Sequence, residues 1–308
     1  MKRWGFVLLV IVMIFGALAE VAGTESKPEG GSLAAREKQE TISVIWAGES
    51  GGFTIRWTAM DIQVQPLKPP NRVVFSARSL AQKEFARIAA TEQKYGFKER
   101  YCEVVCNYKI LSVAGSILSF FEGGDVDCEK TAHPSSTNRF TVIDLKKPGD
   151  FSRRRVKLTD YFPEAAVYQA LLGDPRLREA LSRREPRPPQ SPRNLAELCT
   201  GLKDVLLDDG FCSYALPEDF LTRFAFHRLE GDKVAVRLAL PYFGEICRGR
   251  YLELDLLLPV PENLKEPLAL AQTGKAGFLM QDQKRLSGEQ STIMRFTKGK
   301  EKAEPVPE

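Results

Sequence analysis

Six cysteines and two histidines, His133 and His227, are the residues with the widest chemical range in this chain. Two histidines are too few for a His-rich metal site or for a relay with spare parts, and no cysteine pair has the spacing of a zinc knuckle, so no metal is expected. The cysteines read first as disulfides. Cys102 and Cys106 lie on a stretch that alternates as a strand, with Cys102, Val104, Cys106, Tyr108 and Ile110 on one face. Four strand residues separate the two Cα atoms by about 13 Å, beyond the ~7 Å reach of a bridge, so they cannot bond to each other. Cys199 and Cys212 flank an apparent helix, Leu195 to Leu207, with Gly210 as its stop, and this predicts a Cys199–Cys212 bridge. Cys102 and Cys106 then each take Cys128 or Cys247, in either of two connectivities.

Catalytic constellations are weak. His133 can be drawn as a base with Asp125 or Asp127 and with Ser135 or Ser136 as nucleophile, but all five fall within one stretch and no G-x-S-x-G elbow supports them; they read as a polar loop. His227 alternates on a hairpin strand and reads as a half-buried structural residue. The acidic pairs Glu122/Asp125 and Asp208/Asp209 neighbour glycines and read as solvated turn residues rather than glycosidase carboxylates. Arg153 to Arg155 and Arg183 to Arg187 read as solvated basic faces. No catalytic residue and no cofactor is assigned.

The chain has 308 residues, 43% hydrophobic and 27% charged, which is enough apolar material for a sizeable core and excludes disorder of the whole. Its 44 basic and 40 acidic side chains give a net charge of +4. Removing Lys2 and Arg3 leaves 42 against 40, too small an excess for a protein whose main partner is nucleic acid. Lys2 and Arg3 precede an apolar run, Phe6 to Ala19, that ends in Ala17-Leu18-Ala19, the pattern of a secretory signal peptide. As a helix this run spans roughly 21 Å, short of the ~30 Å hydrocarbon core. The mature chain is therefore expected in the periplasm or secreted, where cysteines oxidise.

Several elements can be anticipated. Residues 20–40 read as a mobile leader. Thr41 to Trp46 and Phe53 to Val64 form a hairpin around Glu49-Ser50-Gly51-Gly52, with a bulge near Ala59 where the apolar phase shifts. A helix follows from Leu80 to Lys94, capped by Ser79. Arg100 to Ile110 and Ala114 to Phe121 are antiparallel strands about Gly115, after which Gly123-Gly124 opens a polar loop that reaches Pro134. Arg139 to Asp144 is a strand, and Pro175 divides a helical stretch in two. Glu185 to Asn194 is a proline-rich loop, and Phe220 to Arg228 pairs with Val234 to Leu240 across Glu230-Gly231-Asp232-Lys233. Leu252, Leu254 and Leu256 suit a closing strand or a helix-like turn, and the chain is polar from Lys275 onward.

The order Ile110 to Phe121, Gly123-Gly124, Ala132-His133-Pro134, Phe140 to Leu145 and Val156 to Phe162, followed by Val236 to Leu240, Pro241-Tyr242-Phe243-Gly244 and Cys247-Arg248-Gly249, resembles the extracytoplasmic domain shared by RsiV-type anti-sigma factors and PdaC-type peptidoglycan deacetylases. The resemblance spans roughly residues 41 to 262. It implies an α+β fold with mixed, mainly antiparallel sheets, and a non-catalytic accessory domain of the bacterial envelope that binds a lysozyme-like protein or a peptidoglycan-type glycan. It departs from the family at Asp125 to Thr131, which lengthen the loop between the glycines and Ala132. Only Met1 to Gly5 precede the apolar run, which leaves no cytoplasmic segment for a sigma factor.

The expected organisation is a signal peptide over 1–19, the leader over 20–40, a PdaC-type part over 41–122, an RsiV-like part over 123–280 and a polar tail over 281–308. Gly123, Gly124, His133, Pro134, Tyr242 and Gly249 are the ligand-binding candidates, on two loops expected side by side. The expected function is a binding module; the alternatives are a structural or maturation factor without a small ligand and a cell-wall hydrolase.

Overall fold

The structure, a computed structural model, describes residues 43–94, 102–129, 133–183, 192–203, 205–297 and 300–302. The signal peptide, the leader, Ala132, most of the proline-rich 185–194 loop and the last six residues lie outside the described residues. The fold is α+β, and every strand pairing described is antiparallel.

The first sheet holds β1 (Val44–Ser50), β2 (Phe53–Thr58), β3 (Ile62–Pro66) and β4 (Phe75–Ser76) in that order. Gly51 and Gly52 turn β1 into β2 with φ of 59° and 92°, as a two-residue hairpin requires. The single bulged strand expected over Phe53 to Val64 is two strands. The Thr58 N–H donates to the Asp61 carbonyl at 2.8 Å and closes a tight turn, so the change of apolar phase at Ala59 marks a reversal that pairs Trp57 with Ile62. Helix α1 (Ala77–Lys94) begins two residues before the expected cap, because the Asp61 carboxylate accepts from the Arg78 N–H at 2.9 Å.

The second sheet is central. Its strands are β5 (Cys102–Ala114), β6 (Ile117–Cys128) and β7 (Ser135–Asp144), and β13 (Thr292–Thr297) and β14 (Lys300–Lys302) complete the order β14-β13-β5-β6-β7. Cys102, Val104, Cys106, Tyr108 and Ile110 are all buried on one face of β5, as the alternation predicts. β6 runs seven residues past the expected Phe121, so Gly123 and Gly124 are strand residues rather than loop residues, and a boundary at 122/123 falls inside a strand. Of the expected loop, Glu129, His133 and Pro134 are the described residues that lie outside the strands. The expected polar tail supplies a central strand whose Met294 and Phe296 are 1% and 3% exposed.

In the third sheet β11 (Lys233–Phe243) pairs with β10 (Phe224–Glu230) and β12 (Tyr251–Pro259), while its C-terminal end meets β9 (Ser213–Ala215), which pairs with β8 (Leu206–Asp208). Leu254, Leu256 and Leu258 are buried, which makes the closing element a strand. Phe151–Arg154 forms the four-residue α2. Helices α3 (Glu164–Gly173) and α4 (Pro175–Arg183) are separate, with Pro175 opening α4, where its missing N–H costs nothing. Together with α5 (Leu195–Leu202) and α6 (Glu262–Gln272) they cover the third sheet in the largest apolar cluster. α7 (Met280–Ser287) precedes β13.

A second cluster joins the first sheet and α1 to one face of the central sheet through Tyr108, Ile110 and Phe120. A third, built on Leu111, Phe140, Ala225 and Ala239, joins the opposite face to the third sheet. The central sheet is thus covered on both sides, so β5, β6 and β7 each present side chains to two different environments.

Candidate functional site

Gly123 and Gly124 sit at the division between those environments. Gly124 pairs with Cys106 and Thr137 across the strands, Gly123 with Asn107 and Asn138, and successive residues of a strand face opposite ways. A Cβ on Gly124 would lie 2.6 Å from the Val105 carbonyl oxygen, an approach only glycine permits.

On the Gly124 side, a cleft of about 380 Å³ opens between α1 and the strands, lined by Glu84 and Arg87 from the helix and by Cys106, Tyr108, Glu122, Thr137 and Arg139 from the sheet. Arg139 gives Nε and Nη2 to the two oxygens of Glu122, both at 2.9 Å, and Thr141 Oγ1 donates to the same carboxylate at 3.0 Å. Glu122 is therefore a paired strand residue with a side chain only 15% exposed, not a solvated turn residue. Arg87 makes the same two-pronged contact with Glu84, at 2.9 and 2.6 Å, and this pairing holds the Glu84 carboxyl below its ordinary range. Cys106 is the cleft's thiol. Burial, with the Glu122 and Glu84 charges adding to it, pushes its pKa up to about 12, so it remains a thiol near neutrality and is a poor nucleophile.

On the Gly123 side, Asn138 Nδ2 donates to the Gly249 carbonyl at 2.6 Å. His133 Nδ1 lies 3.8 Å from Glu245 Oε2, both side chains being exposed. The two stretches expected side by side, around His133-Pro134 and Tyr242 to Gly249, do meet here. Tyr242 itself is half-buried against the largest core cluster and pairs with Tyr214, so it braces the rim rather than presenting a free face. The exposed apolar surface comes from Phe211, Phe243 and Ile246, at 64%, 59% and 80%. These three surround one disulfide, Cys212–Cys247: Ile246 is adjacent to Cys247, Phe243 pairs with Ser213, and the Arg250 guanidinium stands 5.1 Å from the Phe211 ring centroid. Asp209 accepts from the Phe211 and Cys212 N–H groups and from the Tyr214 hydroxyl, contacts that hold its pKa down to about 2.

The cysteine pairing differs from expectation. Cys102–Cys128 and Cys212–Cys247 are bonded, while Cys106 and Cys199 are free. Cys102 and Cys128 are directly opposed in the β5–β6 ladder, with Cα atoms 4.1 Å apart. Cys199 lies within α5 and packs against the core, so the expected return of the chain brings Cys212 to Cys247 and not to Cys199.

Other candidates resolve as follows. Ser136 Oγ donates to Asp125 Oδ1, so serine and carboxylate satisfy each other without His133. His227 is 9% exposed and stands 2.7 Å from Arg228 Nη1, in line with a structural role. Arg154, expected on a solvated basic face, is buried, where its guanidinium binds the Leu145 and Gly149 carbonyls. Among the described residues no group of three or more His, Cys, Asp and Glu side chains is placed to hold a metal ion. Missing from the sequence reading are both carboxylate–arginine pairs and the Phe211–Ile246 patch. Only Phe211, an aromatic residue beside Gly210 in a polar turn, carried a visible signal.

Comparison with known proteins adds no relative: no family model, no curated protein and no solved structure matches this chain. Two disulfides fit an oxidising compartment, and no helix among the described residues is long and apolar enough to cross a membrane.

Proposed function

We propose that this protein is a non-catalytic, extracytoplasmic binding module of the bacterial cell envelope that captures a protein partner on the Phe211–Ile246 rim. The observation that carries the reading is the trio of large apolar side chains exposed around the Cys212–Cys247 bridge. Exposed aromatic and aliphatic anchors on a rigid support are the composition of an interface core, and rigidity lowers the ordering cost of binding. Asp208, Asp209 and Glu245 border the patch, while Arg248 is bound to Glu245 and Arg250 is stacked on Phe211. That border complements a basic partner such as a lysozyme, the ligand class implied by the resemblance to RsiV-type and PdaC-type domains. The non-catalytic reading is supported by the Cys106 thiol, held protonated by burial.

The test is surface plasmon resonance of the oxidised protein against a c-type lysozyme, with sedimentation against purified peptidoglycan sacculi in parallel. Lysozyme binding that weakens at least tenfold, about 1.4 kcal/mol, in a Phe211→Ser, Ile246→Ser variant with unchanged Tm supports the reading. Sedimentation with sacculi without lysozyme binding replaces the protein partner by a glycan, and binding to neither overturns the reading.

A further inference from the structure

We propose that the cleft between α1 and the central sheet, on the opposite face from the rim, is a second site that binds the carboxylate of a short organic acid. The proposal goes beyond the rim reading, since no rim residue lines this cleft.

An uncompensated cation carries the inference. Arg87 and Glu84 cancel each other on the helix side, but on the sheet side Glu122 serves two guanidiniums, bonded to Arg139 at 2.9 Å and lying 4.0 Å from Arg155 Nη2. The next carboxylate, Asp219, is paired with Arg223 at 2.9 Å. Two guanidiniums against one carboxylate leave a positive charge in excess beside the cleft. Arg155 registers it: its Nε is buried with no hydrogen-bond partner among the described residues, and burial first, then the Arg139 charge, lower its pKa. A monoanion in the cleft supplies the missing charge.

The free groups of the cleft are donors. Arg87 and Arg139 each use Nε and Nη2 on a carboxylate, so each guanidinium is fixed in orientation, with an Nη1 that takes no partner among the described residues. The Thr137 hydroxyl takes none there either, and Tyr108, 2% exposed, has its hydroxyl beside the Cys106 thiol, a weak partner. The acceptors are taken, Glu84 by Arg87 and Glu122 by Arg139 and Thr141. Asp125 faces the other side of the sheet, where Ser136 is bonded to it. Free donors beside spent acceptors suit a carboxylate, which accepts on both oxygens, and offer nothing to an ammonium.

Shape narrows the class. Cys106, Gly124 and Thr137 stand in one row across three strands, and the missing side chain of Gly124 leaves a notch between the other two. Val104 and Val126, paired in the next row, give the notch an apolar wall for a short hydrocarbon chain. At about 380 Å³ the cleft is at the lower end of small-molecule sites, which run from about 300 to 1,000 Å³.

The experiment is amide NMR titration of the full oxidised protein with butanoate, butanamide, butylammonium and inorganic phosphate at constant ionic strength. The expected result is a saturable shift of the Gly124 and Thr137 amide signals with butanoate, at least tenfold weaker binding of butanamide and of phosphate, and no saturable shift with butylammonium. Butanoate binding should weaken at least tenfold in Arg87→Gln and in Thr137→Phe. Arg87 and Thr137 are exposed and leave the Glu122–Arg139 pair intact, so the variants keep the fold, which their unliganded Tm checks. Butanamide or butylammonium binding as tightly as butanoate, phosphate binding more tightly, unweakened butanoate binding in both folded variants, or no saturable shift with butanoate overturns the proposal. A Phe211→Ser, Ile246→Ser variant that loses lysozyme yet keeps butanoate separates the two sites, so that either can fail alone.

Discussion

Asn138 Nδ2 and the Gly249 carbonyl oxygen lie 2.6 Å apart, joining strand β7 to a turn 111 residues later in the chain. This one bond ties the central sheet to the disulfide-braced rim. Gly249 has a φ of 78°, so the turn that offers the carbonyl depends on a residue free of Cβ strain.

Thiol counting should give two free thiols after denaturation without reductant, Cys106 and Cys199, and peptide mapping should recover Cys102–Cys128 and Cys212–Cys247. In the native state Cys106 should resist alkylation at neutral pH, since it is 5% exposed and its pKa is pushed up to about 12. Closing loops of 26 and 35 residues contributes roughly 3 to 4 kcal/mol each on the chain-entropy model. Recovery of a Cys199–Cys212 peptide would contradict the structure.

Gly124→Ala should destabilise by about 1 to 3 kcal/mol in chemical denaturation, because the added Cβ meets the Val105 backbone oxygen at 2.6 Å and a backbone neighbour cannot step aside. A control is Gly210→Ala, where no atom lies within 4 Å and only the positive φ of 90° opposes the change. Equal losses at the two positions would mean that the close approach at Gly124 is not real.

Glu122→Gln should cost about 2 to 4 kcal/mol, since it leaves Arg139 and the nearby Arg155 facing each other without their shared carboxylate. Loss of less than ~1 kcal/mol would place the pair in the class of ordinary surface bridges.

Phe296→Ala should cost about 3 to 5 kcal/mol, the usual loss for a buried aromatic residue. An unchanged unfolding midpoint would return this segment to a polar tail.

His227 predicts a pH dependence. Burial first, then the Arg237 and Arg228 charges, lower its pKa below the ordinary 6.5, against smaller opposing effects of Asp255 and Glu230. The unfolded chain therefore binds more protons between the folded pKa and about 6.5, so this residue's share of stability is present above ~6.5 and is lost as pH falls toward the folded value. The Tm of the wild type should drop more steeply than that of His227→Gln between pH 7 and pH 5. Parallel curves would refute the shift.

Much of the architecture was legible in local pattern. The alternation of Cys102 to Ile110, the Gly231-Asp232 hairpin and the break at Pro175 each follow from period and turn chemistry, which act over a few residues, whereas the leucines of β12 left strand and helix-like turn open. The candidate pair Gly123-Gly124 was also legible, though as a loop, because two glycines lower strand propensity whatever their neighbours do. Its strand state depends on β5 and β7, which pair with it on either side and supply the hydrogen bonds.

What the amino-acid order determined by itself was the set of elements with strong periodicity and the incompatibility of Cys102 with Cys106, both matters of backbone geometry within a few residues. Tertiary structure alone decided the partners. Cys212 reaches Cys247 because β9 joins the end of β11; Glu122 finds Arg139 because β6 and β7 share a register; and the stretch after Lys275 enters the core because the open edge of β5 needs a strand. In each case the deciding term is a long-range pairing whose loop entropy is repaid only when the whole sheet forms, so no local window of sequence contains it.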